Sequence, residues 1–127
     1  MNYIIDTHAL IWYFEDSSKI PDKIVKCIDD ATNNKYICSV SLWEITIKTQ
    51  IGKLTMNFSF DELLAEISNS DLHVLQIEND YLTELSKIPL IHKDPFDRLI
   101  IATAIAEDMT IITVDENIRK YDIACVW

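Results

Sequence analysis

Thr110-Ile111-Ile112-Thr113-Val114-Asp115 is a short β-branched run stopped by an aspartate, and Asn2-Tyr3-Ile4-Ile5-Asp6 repeats that pattern at the other end of the chain. Branching at Cβ suits a pleated strand better than a helix. A run that stays apolar instead of alternating belongs to a strand covered on both faces, as in a parallel sheet. Both stretches therefore predict buried parallel strands, each ending on a carboxylate. Tyr36-Ile-Cys-Ser39 and His73-Val-Leu-Gln-Ile77 read the same way, and a last short strand is expected near Ile123 to Trp127.

Between these runs the apolar spacing predicts helices over residues 8–15, 21–33, 41–51, 60–69, 79–87 and 94–108. Pro21, Ser41, Asp94 and Pro95 are helix-start residues, and Phe60-Asp-Glu-Leu-Leu-Ala-Glu-Ile sets Leu63, Leu64 and Ile67 on one face. Strands alternating with helices imply an α/β domain with a mostly parallel sheet. A chain of 127 residues, 49% of them hydrophobic, fills one core and falls short of two, so residues 1–127 are expected to form a single domain.

No stretch approaches the roughly 18 apolar residues of a membrane span, and Met1 to Asp6 has no basic segment leading an apolar core. A soluble cytoplasmic protein is the expectation. Cys27, Cys38 and Cys125, odd in number and set among apolar neighbours, are expected to be reduced core thiols. With 21 acidic against 11 basic residues, the net charge of -10 excludes a broad electrostatic grip on nucleic acid.

Five carboxylates are candidates for chemistry, and each also has a local structural explanation. Asp6 and Asp115 close strands at the sheet edge where ligands gather, but a carboxylate there also caps the next helix. Ser41-Leu-Trp-Glu44 has the spacing of a capping box, with Lys48 placed to pair with Glu44. Asp94-Pro95 is an N-cap followed by a first-position proline, and Asp97 falls in the first turn, where the helix dipole favours negative charge. The segment that follows, Leu99-Ile-Ile-Ala-Thr-Ala-Ile-Ala, is apolar on nearly every face, so Asp97 is carried at the mouth of a buried helix. Whether Asp6, Glu44, Asp97 and Asp115 meet depends on a strand order that the residues leave open. If they meet, their mutual repulsion calls for a cation, and oxygen-only ligands select a hard ion such as Mg2+ or Mn2+. Such an ion suits phosphodiester hydrolysis.

Four blocks in order, Tyr3-Ile-Ile-Asp6-Thr-His-Ala-Leu, Ser39-Val-Ser-Leu-Trp-Glu44-Ile, His92-Lys-Asp-Pro-Phe-Asp97-Arg-Leu-Ile-Ile-Ala and Ile112-Thr-Val-Asp115, resemble the PIN-domain family, and within it the VapC-like toxins of type II toxin-antitoxin systems. The resemblance implies a three-layer α/β/α fold with a sheet of about five parallel strands. It also implies a Mg2+- or Mn2+-dependent ribonuclease whose acids are Asp6, Glu44, Asp97 and Asp115, with Asp94 a possible fifth. On that basis Asp6 and Asp97 are the leading metal ligands and Glu44 the next, while Asp115 completes a second site or orients water. The implied partners are an RNA substrate, a cognate antitoxin whose basic tail lies over the acidic cleft, and a second copy of the chain.

Other residues are read more plainly. Thr113 and Ser39 are strand-end hydroxyls able to meet an acid or a phosphate but more usually bonded to backbone. His8 reads as a helix-face residue, and Lys48, Lys93 and Arg98 as the cations available to RNA. Trp12, Trp43 and Trp127 have the apolar neighbours of core aromatics. Two rival readings remain. A receiver-like signalling domain would need paired acids after the first strand, whereas Thr7 and His8 follow Asp6. A non-catalytic acidic module that docks a basic protein partner would bind equally well in chelator and cut nothing.

Overall fold

Five strands lie parallel in one sheet in the computed structural model, which describes residues 1–127: β1 (Asn2–Ile5), β2 (Asn34–Cys38), β3 (Leu72–Leu75), β4 (Thr110–Ile112) and β5 (Cys125–Val126). Their order is β3-β2-β1-β4-β5. The chain thus builds outward from β1 on one side, then crosses back and builds outward on the other. That reversal puts a crevice between the carboxyl ends of β1 and β4, the position where open parallel sheets bind ligands.

Side chains alternate across the sheet, so adjacent isoleucines serve opposite layers. Ile5, Ile37 and Ile112 meet Leu10, Ile24, Ile28 and Leu63 from α1 (Thr7–Glu15), α2 (Asp22–Asp29) and α4 (Phe60–Ser68). Ile4 and Ile111 meet Tyr81, Ile100, Ile101 and Ile118 from α5 (Asn79–Leu85), α6 (Pro95–Glu107) and α7 (Glu116–Arg119). Between them, α3 (Ser39–Gln50) contributes Ile45 to the first layer and Val40 to the second. The result is the expected α/β/α arrangement. No helix is long and apolar enough to cross a membrane.

Several local expectations are corrected. Residues 30–33 do not continue α2, because the Asp30 carboxylate takes the Thr32 amide at 2.9 Å and its hydroxyl at 2.7 Å, closing a turn in place of another helical turn. Ser41 does not cap α3. The chain passes from β2 into the helix without a loop, so Cys38 holds the N-cap position and Ser41 is fully buried one turn in. The capping box belongs instead to Ser59 and Glu62 at the start of α4. In α4 itself, Leu63 and Ile67 are buried but Leu64 is exposed. Trp12 and Trp127 pack edge-on at 5.9 Å against the core, whereas Trp43 is 57% exposed. The three cysteines are free thiols, with Cys38 fully buried.

Candidate active site

Asp6 follows β1 directly and caps α1, its Oδ1 accepting the Ala9 amide at 2.8 Å. Across the crevice, the Thr113 hydroxyl donates to Asp6 Oδ2 and accepts the Asp115 amide at 3.0 Å. One hydroxyl therefore joins the loop after β1 to the loop after β4. Asp6 is only 4% exposed. Burial drives its carboxyl above the ordinary carboxylate range, with the Asp115 charge adding to the rise, despite the opposing hydrogen bonds from Thr113 and Ala9.

Asp115 caps α7 by accepting the Asn117 amide at 2.8 Å. Asp94 caps α6, its Oδ1 accepting the amides of Phe96 at 2.9 Å and Asp97 at 3.0 Å, with Pro95 in the first helical position. Glu44, on α3, is buried and doubly engaged: Oε1 accepts the Thr7 hydroxyl at 2.6 Å and Oε2 pairs with Lys48 one turn on. Ser41 lies 2.9 Å from the same Thr7 oxygen.

Asp97 projects from the first turn of α6, with Oδ2 3.2 Å from His92 Nε2. Its carboxyl is pushed up to about 6, first by burial and then by the charges of Asp94, Asp115 and Glu44, with the His92 contact pulling the other way. On Lys48, burial acts to lower the ammonium, but Glu44, Asp94 and Asp97 outweigh it and hold it raised. The Asp115 charge reaches both Asp6 and Asp97, and those of Asp94 and Glu44 also reach Asp97, so the five candidates share one electrostatic neighbourhood at the sheet's carboxyl edge.

That cluster is not a closed coordination cage, since no three His, Cys, Asp or Glu side chains are arranged to hold an ion directly. The donors left over are nevertheless hard ones. Asp94 Oδ2, Asp97 Oδ1 and Asp115 Oδ2 accept no hydrogen bond from the protein, their other oxygens being committed to caps or to His92. Free carboxylate oxygens in a repulsive cluster fit an ion of the Mg2+ class, which keeps several waters and takes one or two carboxylates.

Other expectations fare unevenly. Thr113 does both things foreseen for it, bonding backbone and an acid. His8 is an exposed helix residue and Lys93 is exposed. Arg98 is not available to RNA: it is 9% exposed and donates inward, to the Pro89 carbonyl at 2.8 Å and the Tyr121 hydroxyl at 3.0 Å. Thr7, His92 and Tyr121 are the residues that the sequence reading left out. Thr7 and His92 stand in the same short blocks as Asp6 and Asp97, which was the one available signal; Tyr121 had none.

The family model described as PIN domain matches residues 3–124. No curated protein matches the sequence. Among solved structures, the chain is similar to a chain of VapBC2 from Rickettsia felis bound to a promoter DNA fragment, with a TM-score of 0.73 and 19% identity over 99% of this chain and 98% of that one. A chain of DNA-bound VapBC from Salmonella typhimurium gives 0.72 and 17% over 99% and 97%. One from a toxin-antitoxin complex of Klebsiella pneumoniae gives 0.65 and 16% over 98% and 96%. At these identities the likeness is one of fold.

Proposed function

Because the chain belongs to the PIN-domain family, with 122 of its 127 residues inside the matched span of 3–124, we propose that it is a Mg2+- or Mn2+-dependent endoribonuclease and the toxin of a toxin-antitoxin pair. The observation that supports this most directly is the gathering of Asp6, Glu44, Asp94, Asp97 and Asp115 around one crevice, where Lys48 is the one ammonium set against five carboxylates. A divalent ion, when bound, supplies positive charge for the scissile phosphate and acidifies water.

The protein's own residues do the rest. Asp6 and Asp97 would hold the ion, Glu44 and Asp115 would complete its surroundings or orient the attacking water, and Asp94 fixes the first turn of α6 through its two backbone bonds. Thr113 holds Asp6 and the Asp115 loop in one arrangement. The net charge of -10 gives RNA no general attraction, so substrate choice rests on shape and a few local contacts, Lys48 and Lys93 among them. The same charge favours a partner with a basic tail, which fits an antitoxin covering the cleft, and the toxin is expected to work as a homodimer.

The test is cleavage of a mixed pool of structured RNAs by protein freed of any partner, in Mg2+, Mn2+ or chelator, beside Asp6→Asn and Asp97→Asn. Metal-dependent cutting at few sites, lost in both folded variants, is the expected result. Cutting by either variant, or none by the wild type in any metal, refutes the assignment; the latter leaves an acidic module that only docks a basic protein.

A further inference from the structure

His92 lies outside the five carboxylates yet touches one of them, and its ring is held from several directions. Nδ1 is 2.8 Å from the Tyr121 hydroxyl, Nε2 is 3.2 Å from Asp97 Oδ2, and the ring meets the Tyr121 ring edge-on at 5.4 Å. The His92 amide also donates to that hydroxyl, at 3.3 Å. Tyr121 is buried, and Arg98 reaches its hydroxyl at 3.0 Å. Arg98, the residue after Asp97, is a buried cation that pairs with no carboxylate and spends its other contact on the Pro89 carbonyl. A buried guanidinium aimed at a tyrosine oxygen when acids are one residue away needs an explanation.

Proton counting supplies it. Arg98 and the His92 amide can only donate, so together they fill the two acceptor positions of the Tyr121 oxygen. The single hydroxyl proton has two acceptors within reach, the His92 carbonyl at 3.5 Å and His92 Nδ1 at 2.8 Å, and the shorter contact takes it. A neutral imidazole that accepts at Nδ1 carries its proton on Nε2, and that N–H faces Asp97 Oδ2. The chain Arg98, Tyr121, His92, Asp97 has one consistent direction of donation, ending on a carboxylate of the crevice.

We propose that His92 is a positioning residue for Asp97: the Arg98–Tyr121 pair fixes its tautomer, its Nε2–H pins Asp97 Oδ2, and Oδ1 is left as the oxygen that meets a divalent cation. The proposal rests on the nuclease reading of this site. Ligating carboxylates are commonly held by such an outer hydrogen bond, and losing it costs roughly 10–100-fold in metal affinity or activity. Without His92, the Asp97 side chain spreads over rotamers of which few present Oδ1 correctly.

The experiment is calorimetric titration of Mn2+ into wild type, His92→Ala, His92→Gln and Tyr121→Phe at neutral pH, each first shown to be folded by its thermal transition. His92→Ala is expected to weaken Mn2+ binding by roughly 10–100-fold. His92→Gln, which restores an N–H near the Nε2 position, recovers most of that loss, and Tyr121→Phe falls between. In RNA cleavage the same ranking appears in kcat, with KM for RNA little changed. A purely structural role lowers the melting temperature and leaves the Mn2+ affinity of the folded protein alone. Wild-type affinity in folded His92→Ala overturns the proposal, as does a Gln variant no better than Ala. If His92→Ala does not fold, wild-type affinity in Tyr121→Phe overturns it instead. A wild type that cuts RNA while His92→Ala binds Mn2+ normally removes the positioning role alone; a wild type that neither binds Mn2+ nor cuts removes both assignments.

Discussion

Asp97→Asn is expected to make the protein more stable at neutral pH while abolishing cleavage. Burial and the charges of Asp94, Asp115 and Glu44 push this carboxyl from its ordinary 3.8 to about 6. The fold therefore prefers Asp97 protonated, and ionising it costs 1.36 kcal/mol per pH unit of the gap, about 3 kcal/mol in all. The side chain keeps 15% of its surface exposed, and solvent screens part of that cost, so asparagine gains about 2 kcal/mol. The sign sets the pH window. Below about pH 4 the carboxyl is protonated in both states and wild type carries no penalty. Between about pH 4 and 6 the unfolded chain has released the proton and the folded one has not, so wild-type stability falls as pH rises, levelling off above about 6. Urea melts in chelator should therefore show the two proteins equal near pH 4 and the variant about 2 kcal/mol ahead near pH 8, a difference of about 5–10 °C in thermal melts. Added Mn2+ should narrow the gap by stabilising wild type alone. A variant no more stable than wild type at neutral pH would refute the account of Asp97 as an uncompensated charge.

Substitutions at three further places test single local interactions. Thr113→Val keeps the shape but leaves Asp6 Oδ2 and the Asp115 amide without their shared hydroxyl; it should cost about 2–4 kcal/mol in urea unfolding and most of the cleavage rate, whereas Thr113→Ser retains both. Lys35 has no exposed surface, and its ammonium meets the Asp30 carbonyl at 2.9 Å and Asp71, which is 55% exposed, at 2.6 Å. Asp71→Ala should cost about 2 kcal/mol, below the 3–5 of a fully buried pair, and adding Lys35→Met should recover most of it; an additive double-mutant cycle would deny the coupling. Asp108 ends α6 with a left-handed φ of 54° and a carboxylate at the negative end of the helix, so Asp108→Gly should raise stability by about 1 kcal/mol without touching cleavage, and a lower melting temperature would count against it.

What was legible in the sequence follows the range of the forces involved. Buried parallel strands announce themselves because Ile4, Ile5, Ile111 and Ile112 must each be apolar whichever face they serve. The caps at Asp6, Asp94 and Asp115 are equally local, each bonded to amides two or three residues on. Failures came where local spacing was reused for another purpose. Ser41 and Glu44 have capping-box spacing, but the absence of a loop between β2 and α3 moves both inside the helix, where Glu44 turns to Thr7 and Lys48. Trp43 sits among Leu42, Ile45 and Ile47, and only the packing of α3 decides which of them faces water. His92 and Tyr121 are 29 residues apart, a pairing that no helical or strand period encodes.

The acids are also unequal, and their bonding ranks them. Glu44 comes to the crevice with both oxygens engaged, one by Thr7 and one by Lys48, so its charge is already answered within the protein. Asp6 is engaged at both oxygens too, though by neutral donors that leave its charge in place. Asp97 has a single side-chain partner, sits among three like charges and keeps one oxygen free. A cation entering the crevice therefore finds a free oxygen and unanswered charge at Asp97, whereas its use of Glu44 would mean giving up an ion pair. α6 is buried along most of its length, so a charge that burial and three like charges already disfavour is mounted on a helix with little room to move away from it. Rigidity and electrostatic discomfort at one residue are what a site needs if the charge is to be relieved by a ligand and not by rearrangement.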